Sequence, residues 1–315
     1  MDYRGKALLS FCTIAVSLAS AVAFAADAPL LRAVTWLENE PSAQLEALGK
    51  KVVVAPRTAA ETDTRWAVGR AIFQTPILLG GQAAKAGISC ESCHSGGTAN
   101  PHFRFPGMSS APGTADVTHS FFSKLRGNST FDPVPIPDLT KTGKVSHEGQ
   151  ALEEFIRGLI VEEFGGLEPD GATLDALAFY VRGLRDAEKR PSKMLTVDEP
   201  LSNINSAVSL GKSAARAGQF GAAKLLLASA RHQLGLIHER YAGSRLARHR
   251  KALSDAAQSL GQIQNQLDEQ PERVSSALLR WDKLFYTKQK ALRRDEGKSL
   301  YNPDLLKNLL DKQEL

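Results

Sequence analysis

Residues 90–94 read Cys90-Glu91-Ser92-Cys93-His94, and this pentapeptide constrains the fold more than any other stretch. Two cysteines at this spacing share one helical turn, so both thiols can form thioether bonds to the vinyl groups on one edge of a haem. The adjacent histidine can then place its imidazole beneath the iron. The motif therefore predicts one covalently bound haem c, attached through Cys90 and Cys93, with His94 as the proximal iron ligand. The alternative for a C-x-x-C pair is a disulfide or a redox dithiol, but no parallel βαβ pattern surrounds this pair.

The first 26 residues have the pattern of a signal peptide. A short basic region precedes an apolar run over residues 7–23, and small residues follow at the spacing that signal peptidase recognises, which places cleavage after Ala25 or Ala26. An uncleaved membrane anchor is the alternative, since a membrane span needs about 20 apolar residues. Cys12 lies in the expected signal peptide and is removed with it, so both cysteines of the mature chain belong to the pentapeptide. We therefore expect a periplasmic protein with no membrane-spanning segment after cleavage.

The net charge of +5 is unevenly distributed along the 315 residues. Residues from 200 onward carry a net charge of +8, whereas the preceding part carries −3. A basic helical segment favours an acidic partner protein or an anionic membrane surface, and the alternative is a solvated charged face. Export argues against nucleic acid as a partner. Hydrophobic residues make up 43% of the chain, so a soluble protein with a normal apolar core is expected.

Apolar periodicity predicts helices along most of the chain. The first part has expected helices near 42–50, within 62–80, near 82–86, at 119–125, over 149–163 and from about 173 to 185. The stretch 95–150 is rich in Gly, Pro, Ser and Thr, which suits a segment that wraps a flat prosthetic group. The last part has expected helices near 203–217, 219–241, 244–268, 272–296 and 303–312.

Two further segments carry a family resemblance. Gly69-Arg70-Ala71-Ile72-Phe73 resembles the N-terminal helix of a cytochrome c domain, and residues 174–184 resemble the C-terminal helix that packs on it through a close approach at Gly69. Phe73 and Tyr180 are then expected to be packing residues. Together with the helical pattern, the resemblance predicts an all-α fold. Its expected parts are a signal peptide (1–26), an N-terminal leader (27–61), a cytochrome c domain (62–187), a linker (188–201) and an antiparallel helical bundle (202–315).

Residues 88–94 and the loop beyond them resemble the haem domains of the bacterial di-haem cytochrome c peroxidase family. In those domains a distal ligand can follow the motif closely, which implies Met108 as the candidate distal iron ligand here. The family carries two haem motifs, whereas this chain has one. The other distal candidates are His102, His119 and His147, or an open iron position. Arg104 and Arg126 are candidate partners of the haem propionates, because arginine pairs bidentately with carboxylates.

The sequence favours a mono-haem electron carrier that exchanges single electrons with a redox partner protein. One alternative is a peroxidase-like or oxidase-like enzyme subunit with an open distal site, for which the candidate acid–base groups are His102, His119 and Glu148. Another is a haem module that its basic C-terminal helices dock to a partner. His232, His238 and His249 lie on charged helices and are expected at the surface.

Overall fold

The computed structural model describes residues 36–52, 64–76, 81–118, 122–123, 127–141, 143, 145, 151–184 and 192–312. The predicted signal peptide lies outside these ranges, as do Arg126, His119, His147 and Glu148. Most described residues are helical, as the predicted all-α class requires. The short helix expected over 119–125 falls largely outside the described residues.

The first half of the described chain contains six short helices and a little strand. α1 spans Pro41–Gly49, α2 Thr64–Phe73, α3 Gly81–Lys85, α4 Cys90–Cys93, α5 Ala151–Gly158 and α6 Gly171–Arg182. A π-helical turn, Leu159–Glu163, continues α5. The strands are β1 (Lys50–Val52), β2 (Thr114–Ala115), β3 (Val134–Pro135) and β4 (Ser192–Met194). β1 pairs antiparallel with β4, and β2 pairs antiparallel with β3.

α2 and α6 pack tightly, and Gly69 makes this packing possible. A Cβ atom at Gly69 would lie 2.0 Å from the Ala176 carbonyl oxygen and 2.7 Å from Cβ of Tyr180, so only glycine fits. The buried rings of Phe73 and Tyr180 have centroids 5.2 Å apart. The expected approach of the two helices at Gly69 is therefore confirmed, and so is the expectation that both rings are packing residues.

The second half of the described chain contains five helices. α7 spans Asp198–Arg216, α8 Phe220–Arg240, α9 Ala247–Glu269, α10 Pro271–Asp295 and α11 Pro303–Leu310. Short connections join these helices, and α8 packs on α7, α9 on α8 and α10 on α9. α10 also packs on α7. None of the described helices combines the length and the apolar character needed to cross a bilayer.

α7 begins at Asp198, earlier than the start near residue 203 that the sequence pattern predicts. Pro200 lies in the first turn of this helix, where a missing N–H costs no hydrogen bond. Leu201 is fully buried there. The stretch 188–201, expected to be a linker, thus contains both β4 and the start of α7.

Two of the three histidines expected at the surface are buried, and this expectation was wrong for them. His232 and His249 are 2% and 5% exposed. The Nε2 atom of His249 lies 2.9 Å from a carboxylate oxygen of Asp295, which is also buried. Hydrogen bonds from Lys298 and Arg294 hold the pKa of Asp295 well below its ordinary range. A buried carboxylate surrounded by cations therefore anchors the histidine between α9 and α10.

Residues 36–52, here called the N-terminal segment, connect the two halves. Leu37 forms an isolated β-bridge with Phe103 of the first half. The Arg240 guanidinium of α8 donates to the Leu48 carbonyl at 2.6 Å and to the Leu300 carbonyl at 3.2 Å. α2 also packs on α7 and α8, so one apolar core runs through both halves.

Candidate functional site

α4 is a single helical turn that its neighbours hold in place. The Ser89 N–H donates to the Ser92 hydroxyl at 3.0 Å where the turn begins. Beyond the turn, the Asn100 side chain donates to the Ser92 carbonyl at 2.9 Å. The Asn100 N–H donates to the Cys93 carbonyl, also at 2.9 Å. These hydrogen bonds fix the positions of Cys90 and Cys93 through the backbone that carries them.

Two glycines turn the chain sharply after His94. Gly96 and Gly97 have φ angles of 60° and 86°, in the left-handed region that glycine adopts at little cost. The Gly96 N–H donates to a carboxylate oxygen of Glu91 at 3.1 Å. The Leu139 N–H donates to the Gly97 carbonyl at 3.0 Å, which joins the motif to the loop that follows β3.

Cys90 and Cys93 are half-buried and line the same cavity. Burial raises the pKa of each thiol to about 12, so both side chains are uncharged at neutral pH. The two sulfurs are free thiols and are not joined in a disulfide. Two uncharged thiols on one helical turn suit addition to two vinyl groups on one edge of a porphyrin.

The imidazole of His94 is oriented by a residue 43 positions away in the sequence. Its Nδ1 lies 3.0 Å from the Pro137 carbonyl oxygen, which can only accept, so Nδ1 carries the proton. Nε2 then keeps its lone pair, which is the arrangement of a metal-ligating histidine. Desolvation by its surroundings lowers the pKa of His94 to about 4, so the ring is neutral and able to ligate a metal.

An apolar cavity of about 540 Å³ lies beside the motif. Its volume falls within the range of pockets that bind small molecules and cofactors. The motif and α2 form one side, α5, the π-helical turn and α6 form another, and β3 with its following loop forms a third. The lining is mainly aliphatic and aromatic, and includes Phe73, Ile88, Ile136, Leu139, Leu152, Ile156, Leu177 and Val181.

The π-helical turn after α5 contributes directly to the cavity wall. Leu159, Ile160 and the following Phe164 all line the cavity. Glu163 is only 2% exposed, and it accepts a hydrogen bond from the Ser123 hydroxyl at 3.2 Å. Turns of this kind are frequent at functional sites, because one extra residue changes the direction of the side chains around it.

Of the other candidate residues, the three that the structure describes do not line this cavity. Met108 is fully buried in the core but does not line the cavity. Arg104 lines a different cavity of about 800 Å³, between the N-terminal segment and the second half. The Nδ1 atom of His102 lies 3.0 Å from the Glu38 carboxylate, and His102 is also absent from the lining. Arg126 lies outside the described residues. The assignments of Met108 as distal ligand, and of Arg104 and Arg126 as propionate partners, therefore stay predictions.

The chemistry of the site fits a covalently attached haem. Two uncharged thiols and a neutral imidazole with a fixed tautomer share one wall of an apolar cavity. Among the described lining residues, His94 is the one imidazole, and none is a methionine. The Pro137 carbonyl is a functional group that sequence reasoning missed, because a contact over such a long separation leaves no local pattern.

The mouth of the cavity is also apolar. Phe155 and Val134 both line the cavity, yet they are 60% and 61% exposed. A single exposed apolar residue is ordinary, but these two border one opening. The opening is therefore suited to contact with an apolar surface of another molecule.

Comparisons of the chain with protein-family models, with curated proteins and with solved structures found no match. The geometry of the cavity and its motif is therefore the basis on which a function can be assigned.

Proposed function

We propose that this chain is an exported mono-haem c-type cytochrome that carries single electrons. The observation that carries the proposal is the placement of Cys90, Cys93 and His94 on one wall of an apolar cavity of about 540 Å³. A cysteine pair that served as a redox dithiol would need neither the cavity nor the oriented imidazole. The signal-peptide pattern of residues 1–26 supports export, where covalent haem attachment is expected.

The residues of the chain have separate roles in this proposal. Cys90 and Cys93 would hold the ring through thioethers, and His94 would ligate the iron through Nε2. The haem would supply an iron that alternates between the ferrous and ferric states. The hydrogen bond from His94 to the Pro137 carbonyl fixes the ligating tautomer and makes the imidazole a stronger donor. The apolar walls exclude water from the site.

Electron exchange requires a redox partner protein, and the exposed mouth of the cavity offers a contact for one. Phe155 and Val134 border that mouth. Apolar contact at the centre of a small interface suits the weak, transient complexes that electron carriers form. We therefore expect a redox partner to approach this side of the molecule.

The test is the covalent attachment itself. The full chain is expressed with a cytochrome c maturation system, and its haem is measured by the alkaline pyridine spectrum before and after extraction with acid acetone. We expect a coloured protein whose haem resists extraction. The Cys90→Ala/Cys93→Ala double variant should lose this resistance, whereas Thr98→Ala, a nearby change that removes no thiol, should keep it. A colourless wild-type protein, or one whose haem is fully extracted, would refute the proposal.

A second candidate function is a haem enzyme with an open distal site. The specific observation in its favour is that the described cavity lining contains no methionine and no second imidazole beside His94. Carbon monoxide binding to the reduced protein distinguishes the two functions. Slow or absent binding supports the electron carrier, whereas rapid binding together with peroxide turnover supports the enzyme.

A further inference from the structure

A second cavity, of about 800 Å³, lies between the N-terminal segment and the second half of the chain. It is called the interface cavity below. Its walls come from the N-terminal segment, α7, α8 and α11, together with residues near Arg104 and Leu300. Its volume is within the range of pockets that bind small molecules. The proposed electron-carrier function does not use this cavity.

The larger part of the wall of the interface cavity is apolar. Eight of the described lining residues are leucines, and the indole of Trp36 adds to the same surface. α11 contributes Leu306, Leu309 and Leu310, which share one face of the helix because they are three and four positions apart. Such a wall favours the apolar body of a ligand, since binding there removes apolar surface from water.

Two buried polar side chains in the wall have no partner in the described part of the chain. Gln233 and Tyr301 are only 5% and 8% exposed. Neither the Gln233 amide nor the Tyr301 hydroxyl forms a hydrogen bond with a described residue, and neither group is fully enclosed by protein. Gln233 also lines an adjoining cavity of about 360 Å³, whereas Tyr301 does not. Buried polar side chains are normally hydrogen-bonded, so these two groups indicate a missing partner in the cavity.

The polar groups that remain available in the wall are mainly donors. Desolvation raises the pKa of Tyr301, so its hydroxyl keeps its proton at neutral pH. The Asn203 carbonyl oxygen already accepts a hydrogen bond from Arg70 at 2.8 Å, which leaves its N–H groups. The acidic side chains in the wall, Glu199 and Glu239, already have partners. The missing partner is therefore an acceptor.

The charged groups of the wall include both signs. Arg104 and Arg240 line the interface cavity together with Glu199 and Glu239, and no other described lining residue is charged. The Arg240 guanidinium is already engaged, since it donates to two backbone carbonyls. A ligand with a net charge would face groups of both signs and would lose hydration on entering. The cavity is therefore suited to an uncharged ligand.

We propose that the interface cavity binds a small uncharged molecule that combines an apolar body with a carbonyl oxygen. The apolar body would lie against the leucines of α11, and the oxygen would accept hydrogen bonds from the Tyr301 hydroxyl and the Gln233 amide. Ketones, quinones and amides belong to this chemical class. This inference involves the interface cavity alone and does not depend on the proposed haem function.

The test is equilibrium dialysis of the purified full-length mature chain against three ligands of matched shape. They are 2-acetylnaphthalene, which has a carbonyl oxygen, 2-ethylnaphthalene, which has none, and 2-naphthoate, which is an anion. We expect the protein to bind the ketone more tightly than the anion. The ketone and the hydrocarbon differ in hydrophobicity, so they are compared by how each dissociation constant changes between variants.

Tyr301→Phe removes the hydroxyl and keeps the ring. One uncharged hydrogen bond corresponds to about a fivefold change in affinity, so this variant should bind the ketone about fivefold more weakly and the hydrocarbon no more weakly than before. Gln233→Leu, the second variant, should act in the same direction. The matched control is Tyr286→Phe, an exposed tyrosine of α10 outside the interface cavity, and it should bind all three ligands like the unchanged protein. Circular dichroism should show the same helix content for every variant.

Four results would overturn the proposal. The unchanged protein could fail to bind the ketone, or could bind the anion more tightly than the ketone. The Tyr301 and Gln233 variants could both leave the affinity for the ketone unchanged relative to that for the hydrocarbon. Finally, the ketone could bind only to a chain from which residues 27–35 have been removed, which would assign the cavity to that part of the chain.

Discussion

Substitution of Gly69 by alanine should destabilise the protein by a predictable amount. The new Cβ atom would lie 2.0 Å from the Ala176 carbonyl oxygen, so α2 and α6 must move apart. Neither obstacle can rotate away, since one is backbone and the other is Cβ of Tyr180. Overpacking at such a site costs about 3 kcal/mol, at the upper end of measured values.

Two smaller effects act in opposite directions on the same variant. Moving the helices apart weakens the ring contacts that Tyr180 makes with Phe73 and Trp66, a loss of about 1 kcal/mol. Alanine in place of glycine inside a helix contributes about 1 kcal/mol of stability. The two effects offset each other, so we expect Gly69→Ala to lower the free energy of unfolding by about 3 kcal/mol.

The assay is urea denaturation followed by far-ultraviolet circular dichroism, with the midpoint compared at an unchanged slope. The control is Gly171→Ala, in the first turn of α6, where an added Cβ atom meets nothing within 4 Å. That variant should be as stable as the unchanged protein or slightly more stable. If Gly69→Ala unfolds at the same urea concentration as the control, the close helix approach described above is incorrect.

Two other substitutions test separate features. Met108 is fully buried, so Met108→Ala should lower the free energy of unfolding by about 2–5 kcal/mol. The ferric haem spectrum of the same variant tests the ligand assignment: loss of a far-red charge-transfer band identifies Met108 as the distal ligand, and an unchanged spectrum refutes that assignment. The Arg182 guanidinium donates to both carboxylate oxygens of Glu153 at 2.7 Å and lowers the pKa of that carboxyl. Because the folded pKa lies below the unfolded value, the pair stabilises the protein at neutral pH and loses this effect as the pH falls through the folded pKa. Glu153→Gln should therefore cost at most about 1 kcal/mol at neutral pH, since both side chains are partly solvated, and nothing in acid; an equal cost in urea titrations at both pH values would contradict the assignment.

The helices could be predicted from the sequence because their signal is local. Apolar residues recur with helical spacing from α7 to α10, and the expected ends lie within a few residues of the observed ones. The start of α7 was the exception, because residues 188–201 were expected to form a linker, whereas Pro200 is tolerated in the first turn of the helix. The burial of His232 and His249 was missed because pattern reasoning assigns polar side chains to the solvent. The Asp295 carboxylate that anchors His249 lies on a different helix.

The candidate site was predictable only in part, for a similar reason. Cys90, Cys93 and His94 are consecutive elements of one motif, so their proximity follows from the sequence. Position along a loop does not determine which side chains reach a cavity: neither Met108 nor Arg104 is among the described lining residues, and their assignments stay predictions. The cavity walls from α5, α6 and the loop after β3 come together only through the tertiary fold.

The N-terminal segment has a consequence for how this protein can be divided. β1 pairs with β4, the Leu195 N–H donates to the Gly49 carbonyl, and Arg240 donates to the Leu48 carbonyl. A protease cut between α6 and β4 would therefore leave two fragments that remain associated, because a strand of the first fragment is still paired with the second. Fragments expressed from residue 202 onward would lack β4 and the first turn of α7, and would expose the surface on which α2 packs. Dissecting the molecule by nicking the intact chain should thus preserve more native structure than expressing its halves separately.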